Sequence, residues 1–126
     1  MADAYTSFID GGYNRAHAIR SVKSRNGKTL YEWSTKEKQV WSPSTVSSIR
    51  KMMNSSVESG TGVGIKSDSS YVGVKTGTTN NFKDYWITGL TAKYTSAVWL
   101  GYDTPTQMHS LENDKIHHQL FNIVVR

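Results

Sequence analysis

The sequence predicts an α+β fold, in which an antiparallel sheet meander is covered by helices. Three strand-like runs follow one another over residues 71–78, 84–91 and 95–102, and their short polar connections favour antiparallel pairing. A helix start at Ser42-Pro43 precedes apolar residues spaced by three and four positions. The third strand-like run carries apolar side chains on both faces, which predicts a sheet covered on both sides.

Residues 1–41 are predicted to hold a helix end and a β-hairpin. Residues 4–9 have the character of the last helical turns, and the Gly11-Gly12 pair is expected to end them. Asn26-Gly27 is the strongest short hairpin signal in the chain, with residues 29–33 as the returning strand. In the strand before this turn, alternate positions are expected to share one face: Ala16, Ala18 and Val22.

Residues 42–70 are predicted to form a helix and a loop rich in Gly and Ser, entered through a charged connection at residues 36–38. Ser42 suits the N-cap and Pro43 the first helical position. The helix should end at Gly60. Its buried face is expected to consist of four apolar side chains: Val46, Ile49, Met53 and Val57.

Residues 71–103 are predicted as the three-stranded meander and residues 104–126 as a C-terminal helix. The two faces of the third strand are Ala97 with Trp99, and Val98 with Leu100 and Tyr102. The buried stripe of the closing helix is expected to be Ile116, Leu120, Ile123 and Val124. Two helices are too few to cover both faces of the sheet, so we expect part of the fold to lie outside this chain.

The composition fits one globular domain or part of one, since 37% of the 126 residues are hydrophobic and 20% are charged. The net charge of +5 favours anionic neighbours, but the basic residues are scattered, which argues for a solvated surface and against nucleic-acid binding. The absence of cysteine excludes disulfides and thiolate metal sites. No apolar run approaches the roughly 20 residues of a membrane span, and we expect no cofactor.

One motif carries chemistry: Lys75-Thr76-Gly77-Thr78, at the end of the first meander strand. Lysine supplies positive charge, and the threonine hydroxyls donate hydrogen bonds to a carboxylate. A glycine lets a ligand backbone lie against the strand edge, and the N–H beyond it can face a developing oxyanion. From the composition, chance would produce about 0.008 copies of this motif.

The context of the motif resembles the class A penicillin-binding proteins over nearly the whole chain, from residue 4 to about residue 103. Residues 73–86 around the motif carry the resemblance most strongly, with Thr88-Gly89 and residues 98–103 after them. Upstream matching features are Tyr5 to Tyr13, the Asn26-Gly27 hairpin, Ser42-Pro43 and Ser59-Gly60-Thr61-Gly62. The resemblance implies a partial transpeptidase fold of the penicillin-binding protein and serine β-lactamase type.

The resemblance implies an acyl-serine mechanism for peptidoglycan cross-linking. A serine of a Ser-x-x-Lys motif attacks the D-Ala-D-Ala bond of a stem peptide, and the amine of a second stem peptide resolves the acyl-enzyme. Carried over to this chain, Lys75 would support proton transfer and attract the terminal carboxylate. Thr76, Gly77, Thr78 and Thr79 would bind substrate, and the Thr78 N–H would form half of the oxyanion hole. β-Lactams would occupy the same place.

The serine motifs of the family are not identified in this chain. Ser48-x-x-Lys51 and Ser24-x-Asn26 match them formally, but about one match to each is expected by chance and their order is reversed. Ser48 falls in the middle of a predicted helix, whereas the nucleophile needs a helix N-terminus. We therefore expect the catalytic serine to precede Ala4 in a longer parent enzyme.

Other candidate residues have ordinary structural interpretations. The four histidines lack metal-ligand spacing and are predicted to lie at the surface or at helix caps: His17, His109, His117 and His118. The tryptophans are predicted to pack in the core: Trp33, Trp41, Trp86 and Trp99. The Ser59 to Gly62 turn lacks the lysine of a phosphate-binding loop, so structural support is expected there.

Three functions remain open from the sequence. The first is the substrate-holding part of a D,D-transpeptidase, in a parent that is also a glycosyltransferase and is anchored at the extracytoplasmic face of a bacterial membrane. The second is a non-catalytic module that binds a carboxylate-terminated peptide or an anionic wall polymer. The third is a β-lactamase or β-lactam sensor. The expected partners are stem peptides, β-lactams, the N-terminal remainder of the same domain and a second copy of this chain.

Overall fold

The described residues of the N-terminal part form two short helices and four short strands. The structure, a computed structural model, describes residues 1–34 and 38–126. Its first elements are α1 (Ala2–Tyr5), α2 (Ser7–Asp10), β1 (Gly12–Tyr13), β2 (Ser21–Lys23), β3 (Thr29–Glu32) and β4 (Lys38–Gln39). β1 pairs antiparallel with β4, and β2 pairs antiparallel with β3. Of the predicted charged connection, residues 36 and 37 lie outside the described residues.

The predicted hairpin at Asn26-Gly27 is present, but the strand before it is shorter than predicted. Gly27 has φ +84°, which glycine adopts without steric cost. β2 begins only at Ser21, so the prediction that Ala16 and Ala18 belong to it was wrong. The Ala16 N–H instead donates to the Asp3 carboxylate over 2.8 Å. This hydrogen bond holds the segment around Ala16 against α1, so the segment does not join the β2–β3 hairpin.

The helix predicted after Ser42 is α3 (Pro43–Ser59). The Ser42 hydroxyl accepts a hydrogen bond from the Thr45 N–H over 3.2 Å, so the predicted N-cap is confirmed. On the predicted buried face, Val46 and Met53 are buried, while Ile49 and Val57 are half-buried. Gly60 ends the helix as predicted.

The central sheet is the predicted antiparallel meander of β5 (Val72–Thr78), β6 (Asp84–Thr91) and β7 (Thr95–Gly101). The strand order is β5-β6-β7, so β5 and β7 are the edges within the described residues. A 3₁₀ turn, Asn80–Phe82, joins β5 to β6. The register sets Thr76, Ile87 and Val98 side by side on one face of the sheet. Lys75, Thr88 and Ala97 share the other face.

Two C-terminal helices, α4 (Ser110–Asp114) and α5 (Ile116–Val124), follow the sheet, and α5 packs on the face that carries Ile87. The core between them consists of Ile65, Val74, Ile87, Phe121 and Val125. Three residues of the predicted stripe are exposed: Leu120 by 37%, Ile123 by 69% and Val124 by 56%. That prediction was wrong, because α5 turns Phe121 with its neighbours His117 and His118 to the sheet instead.

The opposite face of the sheet is covered only in part. α3 packs against β5, and α1 contacts β6 and β7. Trp99 on this face is 43% exposed and Trp41 near α2 is 40% exposed, so the prediction that these two pack in the core was wrong. Among the described residues, no helix combines the length and apolar character that crossing a membrane requires.

Candidate functional site

The strand β5 divides the side chains of its motif between the two faces of the sheet. Lys75 and Gly77 lie on the face of α1 and α3, whereas Thr76 and Thr78 lie on the face of α5. The exposed side chain of Lys75 borders an apolar groove formed by Tyr5, Phe8, Ile49, Met52 and Met53. The structure therefore brings the two threonines together and places the lysine on the other side of the strand.

The backbone of β5 directs one N–H of the motif toward its outer edge. The Thr79 N–H donates to the Asp84 carbonyl over 3.1 Å, so it points toward β6. N–H groups alternate in direction along an extended strand. The Thr78 N–H, one residue earlier, therefore points away from β6 and toward the outer edge. A donor at this position suits a carbonyl oxygen of a ligand that lies along β5.

Packing among the described residues does not require a glycine at position 77. A Cβ added there would lie 3.6 Å from the Trp86 Cβ, an ordinary van der Waals distance. At Gly73 in the same strand, by contrast, a Cβ would lie 2.9 Å from the Met53 Cβ and would overlap the Tyr71 hydroxyl. The packing around Gly77 therefore leaves room for a methyl group, so the absence of a side chain there is available for the approach of a ligand or another segment.

Thr79 closes the connection between β5 and β6. Its hydroxyl donates to Asp84 Oδ2 over 2.8 Å and accepts from the Asp84 N–H over 2.9 Å. The Trp99 indole N–H donates to the other oxygen of the same carboxylate over 3.0 Å. The hydroxyl of Thr79, predicted as a substrate-binding group, is thus engaged in a structural contact that fixes the end of β5.

A cavity of about 220 Å³ lies between β5 and the N-terminus of α5. Its lining residues are Thr61, Thr76, Thr78, Tyr85, Glu112, Lys115, His117 and His118. Thr76 Oγ1 donates to Thr61 Oγ1 over 2.7 Å, so the turn after α3 directly contacts the motif. The sequence suggested support from this turn but gave no sign of the individual contact. We refer to this space as the β5–α5 cavity.

Two buried histidines form the α5 wall of the β5–α5 cavity. His117 is 6% exposed and His118 is 5% exposed, so the prediction of surface histidines was wrong for both. Their rings meet edge to face with centroids 4.5 Å apart. Among the described residues neither Nδ1 atom has a hydrogen-bond partner. The spacing of four between His117, Phe121 and Val125 was the signal that could have placed them at the sheet.

Burial sets the protonation state of these imidazoles. Desolvation, with the nearby His118 and Lys115 charges, lowers the pKa of His117 to about 4. Desolvation and Lys115 also lower the pKa of His118, while a hydrogen bond to the backbone at Val63 acts in the opposite sense. Both imidazoles are therefore neutral at neutral pH. A neutral imidazole offers one N–H donor and one nitrogen acceptor.

The two formal serine motifs lie away from helix N-termini. Ser48 is the sixth residue of α3, and both it and Lys51 are exposed. Ser24 lies in the hairpin turn, where its hydroxyl bonds to the Asn26 side chain and to the Lys28 carbonyl. Neither serine lies at the end of a helix dipole, where a nucleophile is activated.

The sequence matches a known domain family along almost its entire length. The family model described as penicillin binding protein transpeptidase domain covers residues 1–125. Penicillin-binding protein 4 of Bacillus subtilis is 45% identical over 114 residues, which make up 90% of this chain and 18% of that protein. Penicillin-binding protein 1A of Clostridium perfringens is 34% identical over 112 residues, 87% of this chain and 16% of that protein.

The fold is also found in a solved structure. Penicillin-binding protein 1A from Haemophilus influenzae superimposes with a TM-score of 0.69 over 82% of this chain and 22% of that chain. The sequences are 22% identical, so this comparison concerns the fold alone. The mixed helix and antiparallel-sheet architecture is shared. This chain spans less than a quarter of the length of each of these proteins.

Proposed function

This chain belongs to the family of penicillin-binding protein transpeptidase domains, and we propose that it supplies the substrate-holding strand of a peptidoglycan D,D-transpeptidase. The observation that carries the proposal is the geometry of β5. This edge strand directs the Thr78 N–H outward and leaves room beside Gly77. The side chains of Thr76 and Thr78 point toward a polar cavity on the α5 face of the sheet. Each feature suits an extended peptide with a terminal carboxylate.

The stem peptide lies along the outer edge of β5 in the proposed complex. Its scissile D-Ala-D-Ala carbonyl faces the Thr78 N–H, and its carboxylate faces the hydroxyls of Thr76 and Thr78. A serine oxygen attacks the carbonyl carbon, and the Thr78 N–H stabilises the resulting oxyanion. The C–N bond then breaks, D-alanine leaves with a proton, and an acyl-serine ester remains. The amine of a second stem peptide attacks this ester and forms the cross-link.

Lys75 acts from the other face of the strand. Its side chain is exposed beside the groove of α1 and α3, and its ammonium donates to the Thr76 carbonyl. Among the described residues, no cavity shared with the Thr76 and Thr78 side chains encloses it. We assign to it the support of proton transfer at the nucleophile, which approaches over this face. The serine and its Ser-x-x-Lys lysine come from the N-terminal remainder of the same transpeptidase domain. Attraction of the carboxylate by Lys75 is then a longer-range electrostatic contribution.

The remaining assignments follow from the proposed reaction. β-Lactams compete with the stem peptide at β5, because they present a strained carbonyl and a carboxylate in the same relation. The parent protein acts at the extracytoplasmic face of the bacterial membrane, held by a segment outside this chain. A glycosyltransferase activity in the same parent would supply the glycan strands that the transpeptidase links.

Acylation by a fluorescent penicillin tests the proposal. Residues 1–126 alone should remain unlabelled, and the same chain produced with the upstream part of its transpeptidase domain should label. In that longer protein Thr78→Pro removes the N–H, at an edge strand where proline is tolerated, and should slow acylation about 10²- to 10³-fold. Thr78→Val retains the N–H and should slow it much less. Equal rates for the two variants would contradict the oxyanion role.

A non-catalytic carboxylate-binding module is the second candidate. The outward Thr78 N–H and the hydroxyls of Thr76 and Thr78 could bind a carboxylate-terminated peptide, and such binding requires no nucleophile. Titration of this chain with a D-Ala-D-Ala peptide, with Lys75→Ala as the comparison, would reveal binding. Peptide binding without penicillin acylation in the longer protein would favour this candidate. Rapid hydrolysis of penicillin by the longer protein would instead indicate a β-lactamase with the same fold.

A further inference from the structure

The β2–β3 hairpin is exposed to solvent over its whole length. Every residue of β2 and β3 has an exposed side chain. A two-stranded hairpin of this kind is at best marginally stable in water by itself. Three large apolar side chains on the hairpin or directly before it are nevertheless exposed: Ile19 by 56%, Val22 by 41% and Tyr31 by 44%. Apolar side chains that cluster on an exposed element are typical of an interaction surface.

A groove of about 390 Å³ lies along one face of the hairpin. Val22 and Tyr31 are partners across the two strands, so their side chains stand on this face together. The His17 ring stacks on Trp33 with centroids 4.4 Å apart, which holds one wall of the groove in place. The lining residues are mostly apolar: His17, Ala18, Ile19, Val22 and Tyr31. The groove therefore suits apolar side chains of a binding partner.

The outer edge of β2 presents backbone groups beside this groove. The Trp33 N–H donates to the Arg20 carbonyl over 2.8 Å, so these two residues bond across the hairpin. Backbone groups alternate in direction along an antiparallel strand, and therefore the N–H and C=O of Ser21 point away from β3. This sheet has two strands within the described residues, which leaves the edge without a neighbouring strand. An extended peptide that pairs there places alternate side chains on the face of the groove.

The hairpin carries most of the net positive charge of the chain. Residues 15–33 contain five cationic side chains and one carboxylate, Glu32, which gives a net charge of +4 (five minus one) against +5 for all 126 residues. All of these cationic side chains are exposed: Arg15, Arg20, Lys23, Arg25 and Lys28. Basic residues that are dispersed in the sequence therefore meet on one exposed element. Such a charge attracts an anionic partner and disfavours a second copy of the same hairpin.

Anionic partners differ in which of these features they use. A membrane surface takes up apolar side chains, but the turn at residues 24–28 is polar. A polyanion uses the charges but neither the groove nor the strand edge. We propose that the edge of β2 is a docking site for an extended, acidic segment of a partner protein, with alternate apolar side chains in the groove. The acidic residues between them meet the cationic side chains at the edge, Arg20 and Lys23 among them. The docking site does not involve β5 and is independent of the proposed function.

Titration of this chain with a capped peptide of alternating Glu and Val residues tests the docking site. The NMR signals of the backbone amides of residues 19–23 should shift saturably, and hydrogen exchange of the Ser21 N–H should slow, because the peptide pairs with it. Three comparison probes are used at the same ionic strength: polyglutamate, a peptide of alternating Lys and Val, and the Glu–Val peptide with its pairing amides N-methylated. Each should bind at least about tenfold more weakly, which is about 1.4 kcal/mol of binding free energy. Equal binding of any of them would refute the docking site.

Ser21→Pro removes the outward N–H at an edge strand, where proline is tolerated. Ser21→Ala retains this N–H and is the matched control. We expect the dissociation constant of the Glu–Val peptide to rise at least about tenfold for Ser21→Pro and to stay unchanged for Ser21→Ala. The amide signals of Val22 and Tyr31 report whether the hairpin is intact in both variants. Equal affinities of the two variants, with the hairpin intact, would contradict pairing at this edge.

Lys23→Gln tests the contribution of charge, with Lys93→Gln as the control at an exposed lysine between β6 and β7. Lys23→Gln should weaken binding of the Glu–Val peptide about threefold, as loss of one exposed ion pair would produce, and Lys93→Gln should leave it unchanged. Equal effects of the two substitutions would overturn the electrostatic part of the proposal. This comparison decides if Ser21→Pro loses the hairpin.

The longer protein and a lipid surface provide two further outcomes. In the protein with its upstream transpeptidase region, the Glu–Val peptide should shift the same amides of residues 19–23. If only the shorter chain responds, the parent protein covers β2 with its own residues, and the partner site is refuted. Vesicles of phosphatidylglycerol should bind the hairpin more weakly than the peptide does. Vesicle binding that is equally tight or tighter would identify a membrane surface as the partner and overturn the proposal.

Discussion

Two glycines of the sheet face different constraints, and this difference can be measured. A Cβ at Gly89 would lie 2.5 Å from the Gly73 carbonyl oxygen and 2.9 Å from Phe121 Cζ, whereas a Cβ at Gly77 meets only an ordinary contact. We expect Gly89→Ala to lower the free energy of unfolding by about 1–3 kcal/mol through overpacking. Gly77→Ala should change it by less than about 1 kcal/mol. Urea unfolding of the two variants checks this.

The same pair separates a functional glycine from a structural one. In the protein with its upstream transpeptidase region, Gly77→Ala should slow penicillin acylation at least about tenfold, which corresponds to about 1.4 kcal/mol of activation free energy. The added methyl group stands on the face of Lys75, where the nucleophile is proposed to approach. An unchanged acylation rate would show that Gly77 has no role beyond the fold.

The buried histidines should make the stability of the chain depend on pH. The folded-state pKa of His117 is about 4, below its value of about 6.5 in an unfolded chain. The unfolded state therefore binds the proton first, and stability falls as the pH decreases from about 6.5 toward 4. Between about pH 7.5 and pH 5 we expect a loss of about 2 kcal/mol from His117, with His118 acting in the same direction.

Urea unfolding at several pH values checks this dependence. His117→Gln lacks the titrating group, so its stability should fall less over the same pH range. His17→Gln, at an exposed ring, should retain the full dependence. A wild-type chain whose unfolding free energy is constant between pH 7.5 and pH 5 would contradict the burial of these rings.

At the level of residues, the sequence could predict the motif but not the groups around it. Lys75 to Thr78 are contiguous, so their chemistry is readable without a fold. Thr61, His117 and His118 reach the site only because the turn after α3 and the first turn of α5 converge on β5. The opposite orientations of Lys75 and Thr76 do follow from the alternation of a strand. Which residues contact each face of β5 depends on tertiary packing and cannot be read from the strand alone.

The helix α5 shows how an element can be predicted while its orientation is missed. Its apolar residues lie on two sides of the helix, and periodicity alone gave the stripe that includes Ile123. The sheet instead takes the side with Phe121, whose ring is fully buried. We expect Phe121→Ala to cost about 3–5 kcal/mol of unfolding free energy and Ile123→Ala less than about 0.5 kcal/mol. Comparable losses of unfolding free energy in the two variants would support the stripe predicted from the sequence.

The better-predicted elements are those with local chemical signals. α3 begins where the Ser42 hydroxyl caps it, and the hairpin turns where Gly27 accepts a positive φ. The three strands of the meander have short polar connections that leave antiparallel pairing as the simple solution. The predicted length of β2 was too great, because the Ala16 N–H donates to Asp3, which is distant in sequence. Such a long-range polar contact leaves no local pattern.

At the scale of the whole molecule, apolar side chains remain exposed on both sides of the sheet. Ile123 and Val124 are exposed by 69% and 56% on α5, and Trp99 by 43% on the opposite face. Exposed apolar surface of this kind favours association. We therefore predict that residues 1–126 form dimers, measurable by sedimentation equilibrium.

Ile123→Glu should shift this equilibrium toward monomers, because a dimer would have to bury its charge. Gln107→Glu, at an exposed polar position after β7, is the comparison for a surface charge elsewhere. A wild-type chain that sediments as a monomer at every concentration would contradict the prediction. The sequence suggested incomplete coverage of the sheet, since it contained too few helices for two faces. It could not say which side chains would be exposed.

We infer that β5 holds the substrate while the nucleophile lies outside residues 1–126. Mapping the penicilloyl adduct by peptide mass spectrometry, in the protein with its upstream transpeptidase region, tests this most directly. We expect one adduct, on a serine that precedes residue 1 of this chain, and we expect it to form about 10²- to 10³-fold more slowly in Thr78→Pro. An adduct on Ser24, Ser48 or any other serine within these 126 residues would contradict it.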